Sequence, residues 1–335
     1  MTKTLPSTNL DRLNRRAVLG LGACAAAVAA MGARPALAQG SDKPVRFILP
    51  ISAGSGVDTI VRAAAPALGK AFGQPVVIEN LPGAGGITGA AAIVKAAPDG
   101  LTLGMVSNNH VINPAVFKKM PFDAITDITP ISVVGATPLV LVANPKLPAK
   151  NVQELIALLR AKPGGYNYAS SGNGTIIHLA GEMFMDEAGV KARHIPYKGT
   201  GPMVTDMIGG QVEMGVVSLP AVQPHIKSGA LRAIGLCGPT RSPAAPEIPT
   251  FDEQGLKDFV GGSWVGFLGP ANLPAPIVAR VLADVTALLN AGLAEELTRR
   301  GLDPAGLPPA AFAALIRADH AKFSAIGERA GLKPE

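Results

Sequence analysis

Residues 131–143 read Ile-Ser-Val-Val-Gly-Ala-Thr-Pro-Leu-Val-Leu-Val-Ala, an apolar strand pattern that carries no charge. It is longer than an ordinary β-strand, and Pro138 near its middle cannot donate a hydrogen bond to a sheet. We interpret it as a segment that passes between two bodies of the protein. A second apolar strand pattern, at residues 264–268, is the candidate return crossing.

Short strand patterns rich in β-branched residues alternate with Ala- and Leu-rich helical patterns on both sides of this segment. Strand patterns at residues 45–49, 75–79 and 101–106 precede it, and the alternation continues from 152 to 236. The rhythm is typical of parallel strands covered by helices, which is an α/β fold. Two crossings between two α/β bodies predict a hinged, two-lobe protein that binds ligands in a cleft, beyond the carboxyl ends of its strands.

Composition limits the classes of function. The chain has 335 residues, of which 48% are apolar, 16% are charged and 4% are aromatic. The high apolar content argues against intrinsic disorder, and the length favours two domains. The few aromatic residues argue against a stacking platform for single-stranded nucleic acid.

Residues 1–38 are predicted to be an export signal of the twin-arginine type. Arg15-Arg16 precede an apolar run, and Ala36-Leu37-Ala38 is a cleavage site before Gln39. Removing five basic residues and one acidic residue from the totals of 30 and 24 leaves a net charge of +2, too low for a nucleic-acid binder. We therefore expect a periplasmic protein, and no later stretch is expected to span a membrane.

The cysteines leave one alternative for the N-terminus, a lipoprotein cleaved before Cys24 and acylated on that residue. If the signal ends at Ala38 instead, Cys237 is the one cysteine of the mature chain. A single cysteine allows neither an internal disulfide nor a metal site built from several thiolates.

Three glycine-rich turns stand directly before predicted helices, at residues 51–58, 82–86 and 170–174. Free backbone N–H groups at a helix N-terminus attract anions, because the donors are unpaired and the helix dipole is positive there. Strand-to-helix turns also use Gly and Ser for structure alone, which remains the alternative for any single turn. Three such turns divided between two bodies favour a shared anion site.

Known catalytic and cofactor motifs do not occur in the sequence. It lacks a P-loop, a well-spaced dinucleotide fingerprint, a Gly-x-Ser-x-Gly elbow and a His-Glu-x-x-His helix, and its five histidines are scattered. We therefore predict no catalytic residue, no cofactor and no metal. The alternative from another class is a secreted serine hydrolase that uses Ser170 or Ser171 with His178.

A series of motifs extends along the whole mature chain. It includes Pro50-Ile-Ser-Ala-Gly-Ser-Gly-Val-Asp58, His178-Leu-Ala-Gly-Glu182 and His194-Ile-Pro-Tyr-Lys-Gly199. Further motifs lie at residues 79–86, 97–100, 110–114, 168–172, 206–212 and 224–229. Together they resemble the Bug family, the periplasmic solute-binding receptors of tripartite tricarboxylate transporters.

The resemblance implies a Venus-flytrap protein of type II with two crossover hinge segments. Such a protein holds a small carboxylate between its lobes and delivers it to a membrane permease. The lobes are then predicted to comprise residues 43–139 with 264–335, and residues 140–263. We expect a monomer without enzyme activity, and a ligand sensor for a signalling system remains the alternative.

The resemblance also implies site residues, since ligand carboxylates in the family are met largely by backbone N–H groups, hydroxyls and bridging waters. The first-lobe candidates are Ser52, Gly54, Ser55, Asp58 and Asn109. The second-lobe candidates are Ser170, Ser171, Gly172, Asn173, Thr175, His178, Tyr197, Lys198, Gly199 and Ser218. Ser218 stands where relatives often carry Asp or Asn, and this and other departures near the cleft leave the ligand open.

Overall fold

The computed structural model describes residues 43–257, 259 and 262–329. The predicted export signal, with its cleavage site after Ala38 and the alternative at Cys24, lies outside the described residues.

Strands and helices alternate along most of the described chain. The strands are β1 (Val45–Leu49), β2 (Val76–Asn80), β3 (Thr102–Ser107), β4 (Ile128–Ala143), β5 (Asn167–Ser170), β6 (Arg193–Pro196), β7 (Met214–Ser218), β8 (Arg232–Leu236), β9 (Gly262–Pro270) and β10 (Asp303–Leu307). The helices are α1 (Gly56–Phe72), α2 (Ile87–Val94), α3 (Asn109–Val116), α4 (Val152–Ala161), α5 (Ile176–Glu187), α6 (Thr200–Gly209), α7 (Leu219–Lys227), α8 (Ala275–Leu288), α9 (Ala294–Arg299) and α10 (Pro309–Arg329).

Strand β4 joins the two halves of the sheet. Along the sheet the order is β2-β1-β3-β9-β4-β7-β5-β6, and both β8 and β10 also pair with β4. The first half of β4 pairs antiparallel with β9 and β10, whereas its second half pairs antiparallel with β7 and β8. Pro138 lies opposite Gly262 where β9 begins. The two predicted crossing segments are thus β4 and β9, and each is longer than its sequence pattern indicated.

Each lobe has a small parallel sheet at its centre. In the first lobe β1 lies between β2 and β3, and in the second β5 lies between β6 and β7, all of them parallel. Helices cover both faces, so the central strands are buried and apolar. In β1 the fully buried Phe47 packs against Phe267 of β9 with ring centroids 5.3 Å apart. Burial of such a side chain stabilises the fold by roughly 1.5–3 kcal/mol.

The last helix braces the return crossing. Trp264, the single tryptophan of the chain, donates a hydrogen bond of 2.7 Å from its indole Nε1 to Asp319 Oδ2 on α10. Its ring meets Phe312 of the same helix edge-on at 5.2 Å. Because Trp264 pairs with Ala136 of β4, its fluorescence offers a probe of this part of the hinge.

One described segment, Ala275–Arg299, is long and apolar enough to span a membrane by length and composition, which the sequence analysis did not expect. The structure divides this segment into α8 and α9. The break lies at Leu289–Leu293, where Gly292 has a φ of 97°. Val281 and Val285 of α8 are buried in the apolar core of the first lobe. The segment packs there as two surface helices.

Candidate ligand-binding site

A cavity of about 540 Å³ lies at the carboxyl ends of the strands of both lobes. Six strand-to-helix turns border it, and they follow β1, β2, β3, β5, β6 and β7. We name each turn after its strand: the β1 turn (residues 50–57), the β2 turn (82–86), the β5 turn (170–175) and the β6 turn (196–200). The lining residues are Pro50, Ile51, Ser52, Ser55, Gly56, Val57, Pro82, Gly83, Ala84, Gly85, Ser107, Asn109, Phe117, Thr137, Leu139, Ser171, Gly172, Asn173, Thr175, Ile176, Ile177, Pro196, Tyr197, Lys198, Gly199, Thr200, Ser218 and Ser263.

The β1 turn is fixed from below by a buried carboxylate. Ser55 caps α1 and accepts a hydrogen bond from the backbone N–H of Asp58 at 3.2 Å. The Asp58 carboxylate accepts hydrogen bonds from the backbone N–H of Gly54 at 3.0 Å, from Arg62 at 2.9 Å and from Asn80 at 3.0 Å. Asp58 and Gly54 do not line the cavity. Their polar groups bond to each other and shape the turn.

The first turn of α1 leaves backbone donors open. Within the described part of the chain, the N–H groups of Gly56 and Val57 have no hydrogen-bond partner. Both residues line the cavity, and N–H groups in the first turn of a helix point out of its N-terminus. They are donors available to a bound anion.

The β5 turn has the same construction in the second lobe. Thr175 caps α5 and accepts from the N–H of His178 at 3.3 Å, while its hydroxyl donates to the carbonyl oxygen of Gly172 at 2.8 Å. Gly172 and Gly174 have φ values of 128° and 71°, a region in which residues with a Cβ are strained. The N–H of Asn173 has no partner among the described residues, and Asn173 lines the cavity.

Ser170, the first residue of the β5 turn, and His178, in the helix that follows it, do not line the cavity. Ser170 is fully buried, and its Oγ lies 2.7 Å from His194 Nε2 and accepts from the N–H of Gly172 at 3.1 Å. The Nδ1 atom of His178 accepts from the N–H of Gly174 at 3.2 Å. These groups hold the turn, which places them behind the surface that a ligand touches.

The same region does not have the geometry of a hydrolase site. Ser170, the serine with an imidazole partner, is buried away from the cavity. Ser171 does line the cavity, but its hydroxyl bonds to Thr175 Oγ1 at 3.2 Å and to no described histidine. The serine–histidine pair proposed as an alternative is therefore not supported by the geometry.

A metal is also poorly matched to the histidines here. Ligand atoms of His178, Glu182 and His194 lie within 4.8 Å of one another. However, His178 Nδ1 is a hydrogen-bond acceptor, so the neutral ring carries its proton on Nε2, the nitrogen that faces Glu182. The two imidazole rings are stacked 4.1 Å apart and nearly parallel, so their lone pairs do not converge on one point.

The two lobes touch directly across the cavity. The backbone N–H of Thr200 donates to Ser52 Oγ at 2.9 Å, and that of Ile176 donates to Asn109 Oδ1 at 2.9 Å. Gly199 allows the first of these contacts, because a Cβ there would lie 2.3 Å from Ser52 Oγ. The structure thus has the closed arrangement, in which both lobes contribute to one cavity.

The described lining of the cavity carries a positive charge and no negative one. Lys198 is the single charged side chain among the described lining residues, and no carboxylate is present among them. Tyr197, beside it, donates its hydroxyl to Asp206 at 2.9 Å. Burial and this carboxylate raise the pKa of Tyr197 to about 12, so its hydroxyl stays neutral. A negatively charged ligand is the one that such a lining favours.

Eleven of the fifteen candidates from the sequence line the cavity, and Gly54, Asp58, Ser170 and His178 do not. The β2 turn was predicted as one of three anion-binding turns, but none of its residues was among the candidates, and neither were the residues at the hinge. The additional polar lining residues are Ser107, Thr137, Thr200 and Ser263, and Phe117 adds an aromatic surface. Thr137 and Ser263 lie opposite each other on the crossing strands β4 and β9, and the pairing of these strands brings both to the cavity.

Comparison with known proteins identifies the family of this chain. The model of the family described as "Tripartite tricarboxylate transporter family receptor" matches residues 60–332. The chain belongs to this family. Protein BugT of Bordetella pertussis is 33% identical to it over 294 residues, which are 87% of this chain and 90% of BugT.

Two solved structures of the family support the same fold. The periplasmic binding protein BugD is 28% identical, with a TM-score of 0.84 over 88% of this chain and 100% of BugD. The R. palustris protein Rpa4515, solved with adipate, is 30% identical, with a TM-score of 0.84 over 87% of this chain and 98% of that protein. The predicted family and the predicted two-lobe fold are confirmed, and the likeness to the periplasmic binding protein BugD implies a periplasmic location for this chain.

Proposed function

We propose that this receptor captures a small carboxylate in the cavity between its lobes and delivers it to a membrane permease of the tripartite tricarboxylate type. The observation that carries the proposal is the charge of the lining. Helices α1, α5, α6 and α7 begin at the cavity, Lys198 is its one charged side chain, and no acid lines its described part. The adipate in the related Rpa4515 supports the same class of ligand.

The physical basis is attraction between an anion and open donors. Each helix N-terminus carries a partial charge of about +0.5, and the unpaired N–H groups there can donate to a carboxylate. The ligand would meet Gly56 and Val57 from the first lobe and Asn173 from the second. A ligand that touches both lobes binds the closed form better than the open form, so it favours closure by that difference in affinity.

The eleven candidates that line the cavity are the proposed contacts of the ligand. Ser52 and Asn109 also connect the lobes, through Thr200 and Ile176. We assign a structural role to the four candidates that do not line the cavity, which is to give the β1 and β5 turns their shape. They are Gly54, Asp58, Ser170 and His178. The predicted lobe limits, residues 43–139 with 264–335 and residues 140–263, are proposed to close over the ligand as units.

The proposal also covers the export of the protein and the delivery of its ligand to the permease. We assign cleavage after Ala38 and release as a monomer without catalytic activity. A sensory role would use the same closure, and it predicts a different phenotype. Deletion of the gene should reduce uptake of the ligand if the receptor feeds a permease, whereas a change in gene expression with normal uptake would favour the sensor.

Binding measurements test the carboxylate proposal. Isothermal titration against adipate, other mono-, di- and tricarboxylates, and 2-aminoadipate should give one strong binder, with 2-aminoadipate weaker than adipate because an ammonium group meets no acid in the lining. At a ligand concentration 100-fold above Kd, the free energy of unfolding should rise by roughly 2.7 kcal/mol. If correctly folded protein binds no carboxylate, the proposal is wrong.

The contribution of Lys198 gives a second prediction. Lys198→Met should weaken binding of the carboxylate by roughly two- to fivefold, a small loss because this lysine is exposed and screened by solvent. The loss should shrink as the salt concentration rises. Lys191→Met, an exposed lysine outside the cavity lining, is the matched control and should bind like the wild type. Equal losses in the two variants would remove Lys198 from the site.

A further inference from the structure

Two of the contacts between the lobes differ in their chemistry. At one of them, Gly56 of α1 faces Ser218 of β7 so closely that a Cβ on Gly56 would lie 2.4 Å from Ser218 Oγ. At the other, Gly174 of the β5 turn lies against Val116 of α3, where a Cβ would be 2.5 Å from Val116 Cγ1. The first contact involves a hydroxyl and an open amide, whereas the second is apolar.

The residues at the first contact belong to a polar pole of the cavity, which we define as Gly56, Val57, Ser107 and Ser218. The two amides, those of Gly56 and Val57, are unpaired among the described residues. Ser107, at the end of β3, and Ser218 are only 7% and 9% exposed, and neither hydroxyl has a hydrogen-bond partner in the described part of the chain. All four residues line the cavity, so the pole offers two amides and two hydroxyls to the oxygens of a carboxylate.

The residues beside the second contact form an apolar wall, which we define as Phe117, Ile176 and Ile177. Phe117 directly follows Val116, and the two isoleucines begin α5 two residues beyond Gly174. All three line the cavity and pack with the same hydrophobic core. Nine of the ten phenylalanines of the chain are buried, and Phe117 is the one that is not. Its half-exposed ring is apolar surface that a ligand can cover.

Much of the remaining polar lining is already engaged within the protein. Lys198 is the one charged side chain of the described lining, and it is exposed to solvent. A ligand with many hydroxyls or with three carboxylates would leave polar groups poorly paired in this cavity, which costs free energy. Four hydroxyls of the lining donate to protein acceptors at 2.6 to 3.2 Å, namely those of Thr137, Ser171, Thr175 and Ser263.

We propose that the ligand is an amphipathic carboxylate, which places its carboxylate at the polar pole and an apolar body, a ring or an alkyl chain, on the apolar wall. This inference rests on the proposed function of the cavity. At about 30 Å³ for each water-sized group, the cavity of about 540 Å³ has room for up to about eighteen non-hydrogen atoms, enough for such a body. Because the wall combines Phe117 of the first lobe with Ile176 and Ile177 of the second, burial of the apolar body also favours the closed form.

Two pairs of probes separate the apolar body from the carboxylate. Quinate is the tetrahydroxy form of cyclohexanecarboxylate, and galactarate is the tetrahydroxy form of adipate, so the members of each pair share their carbon skeleton and their carboxylates. In isothermal titration, the wild type should bind the unhydroxylated member of at least one pair about tenfold or more tightly than its partner. The pair with the larger difference then tells whether the apolar body is a ring or a chain.

Substitutions of Phe117 test the wall. Phe117→Asn should weaken binding of the preferred probe by about tenfold and change that of its hydroxylated partner by less than about twofold, because only the first loses an apolar contact. Phe117→Leu keeps an apolar side chain and should keep the preference within about threefold. Ile226→Asn is the matched control, since Ile226 is also half-buried at the edge of the same core but does not line the cavity. It should bind both probes like the wild type.

The ratio of the two affinities is the deciding quantity, because a general loss of folded protein lowers both members of a pair alike. The inference is wrong if the wild type binds both members of each pair equally or prefers the hydroxylated ones, or if Phe117→Asn weakens both members by the same factor. If Phe117→Asn does not fold, the pairs measured with the wild type still decide. A receptor that binds carboxylates without this preference contradicts this inference alone, whereas one that binds no carboxylate contradicts the proposed function.

Discussion

Gly174→Ala should lower the affinity for the ligand by about a hundredfold, roughly 3 kcal/mol, while the protein still folds. A Cβ on Gly174 would lie 2.5 Å from Cγ1 of Val116, closer than such atoms approach in real proteins, and 3.0 Å from its Cβ. Val116 is buried and β-branched, so it cannot turn aside easily. The lobes must then stay apart, and the ligand loses the contacts of one of them.

Gly164→Ala is the matched control for this substitution. Gly174 and Gly164 have nearly the same backbone, with φ values of 71° and 69°, so alanine costs each of them about 1–2 kcal/mol of stability. No described atom lies within 4 Å of a Cβ placed on Gly164. Thermal unfolding should show similar losses of stability, and titration calorimetry should show a loss of affinity in Gly174→Ala alone. Similar affinities in the two variants would mean that the closed contact at Val116 does not matter for binding.

Acidification should destabilise the fold through His110. This residue of α3 is buried, stacks on Phe122 with centroids 5.8 Å apart, and donates from Nε2 to the carbonyl oxygen of Ala124 at 2.8 Å. Its Nδ1 has no partner among the residues that the structure describes, so a second proton would be buried without an acceptor. Burial accordingly lowers the pKa of His110 from 6.5 to about 4.

The sign of this effect follows from proton uptake. The pKa is lower in the folded state, so the unfolded chain binds more protons as the pH falls. The contribution of His110 to stability is about 3 kcal/mol above about pH 6.5, and it is lost progressively as the pH falls to about 4. His110→Gln retains a donor for Ala124 and does not titrate. Urea unfolding should show a weaker loss of stability in this variant between about pH 7 and pH 4.5, whereas parallel losses would contradict the assignment.

The fold could largely be predicted because its deciding segments are buried strands with strong patterns. Strand β4 has sixteen residues, and nearly all of them are apolar or small, so its two-lobe course was visible in the sequence. Helix α3 and strand β10 were not predicted. Pro114 lies inside α3, and the sequence Asp-Pro-Ala-Gly-Leu of β10 has no β-branched residue. Both elements depend on tertiary partners, β10 on its antiparallel pairing with β4.

Only those parts of the site that local sequence patterns place could be predicted. Turns such as residues 170–175 were found because Gly, Ser and Thr precede a helix, and the structure places most of their residues at the cavity. Sequence could not tell which side of a turn a side chain takes. Asp58 and His178 belong to the same motifs, yet their hydrogen bonds to Gly54 and Gly174 draw them beneath the turns. Thr137 and Ser263 reach the cavity through the pairing of β4 and β9, which no local pattern reveals.

The pairing of Pro138 with Gly262 has a consequence for engineering. With the proposed lobe limits, the chain leaves the first lobe and returns to it at two neighbouring positions on adjacent strands, so the intervening part is a cassette with its two ends side by side. Chimaeras that splice this cassette from another family member would need only these two junctions. Half of the recognition surface could then be exchanged while the other half, with the β1 turn and its buried Asp58, keeps its own geometry.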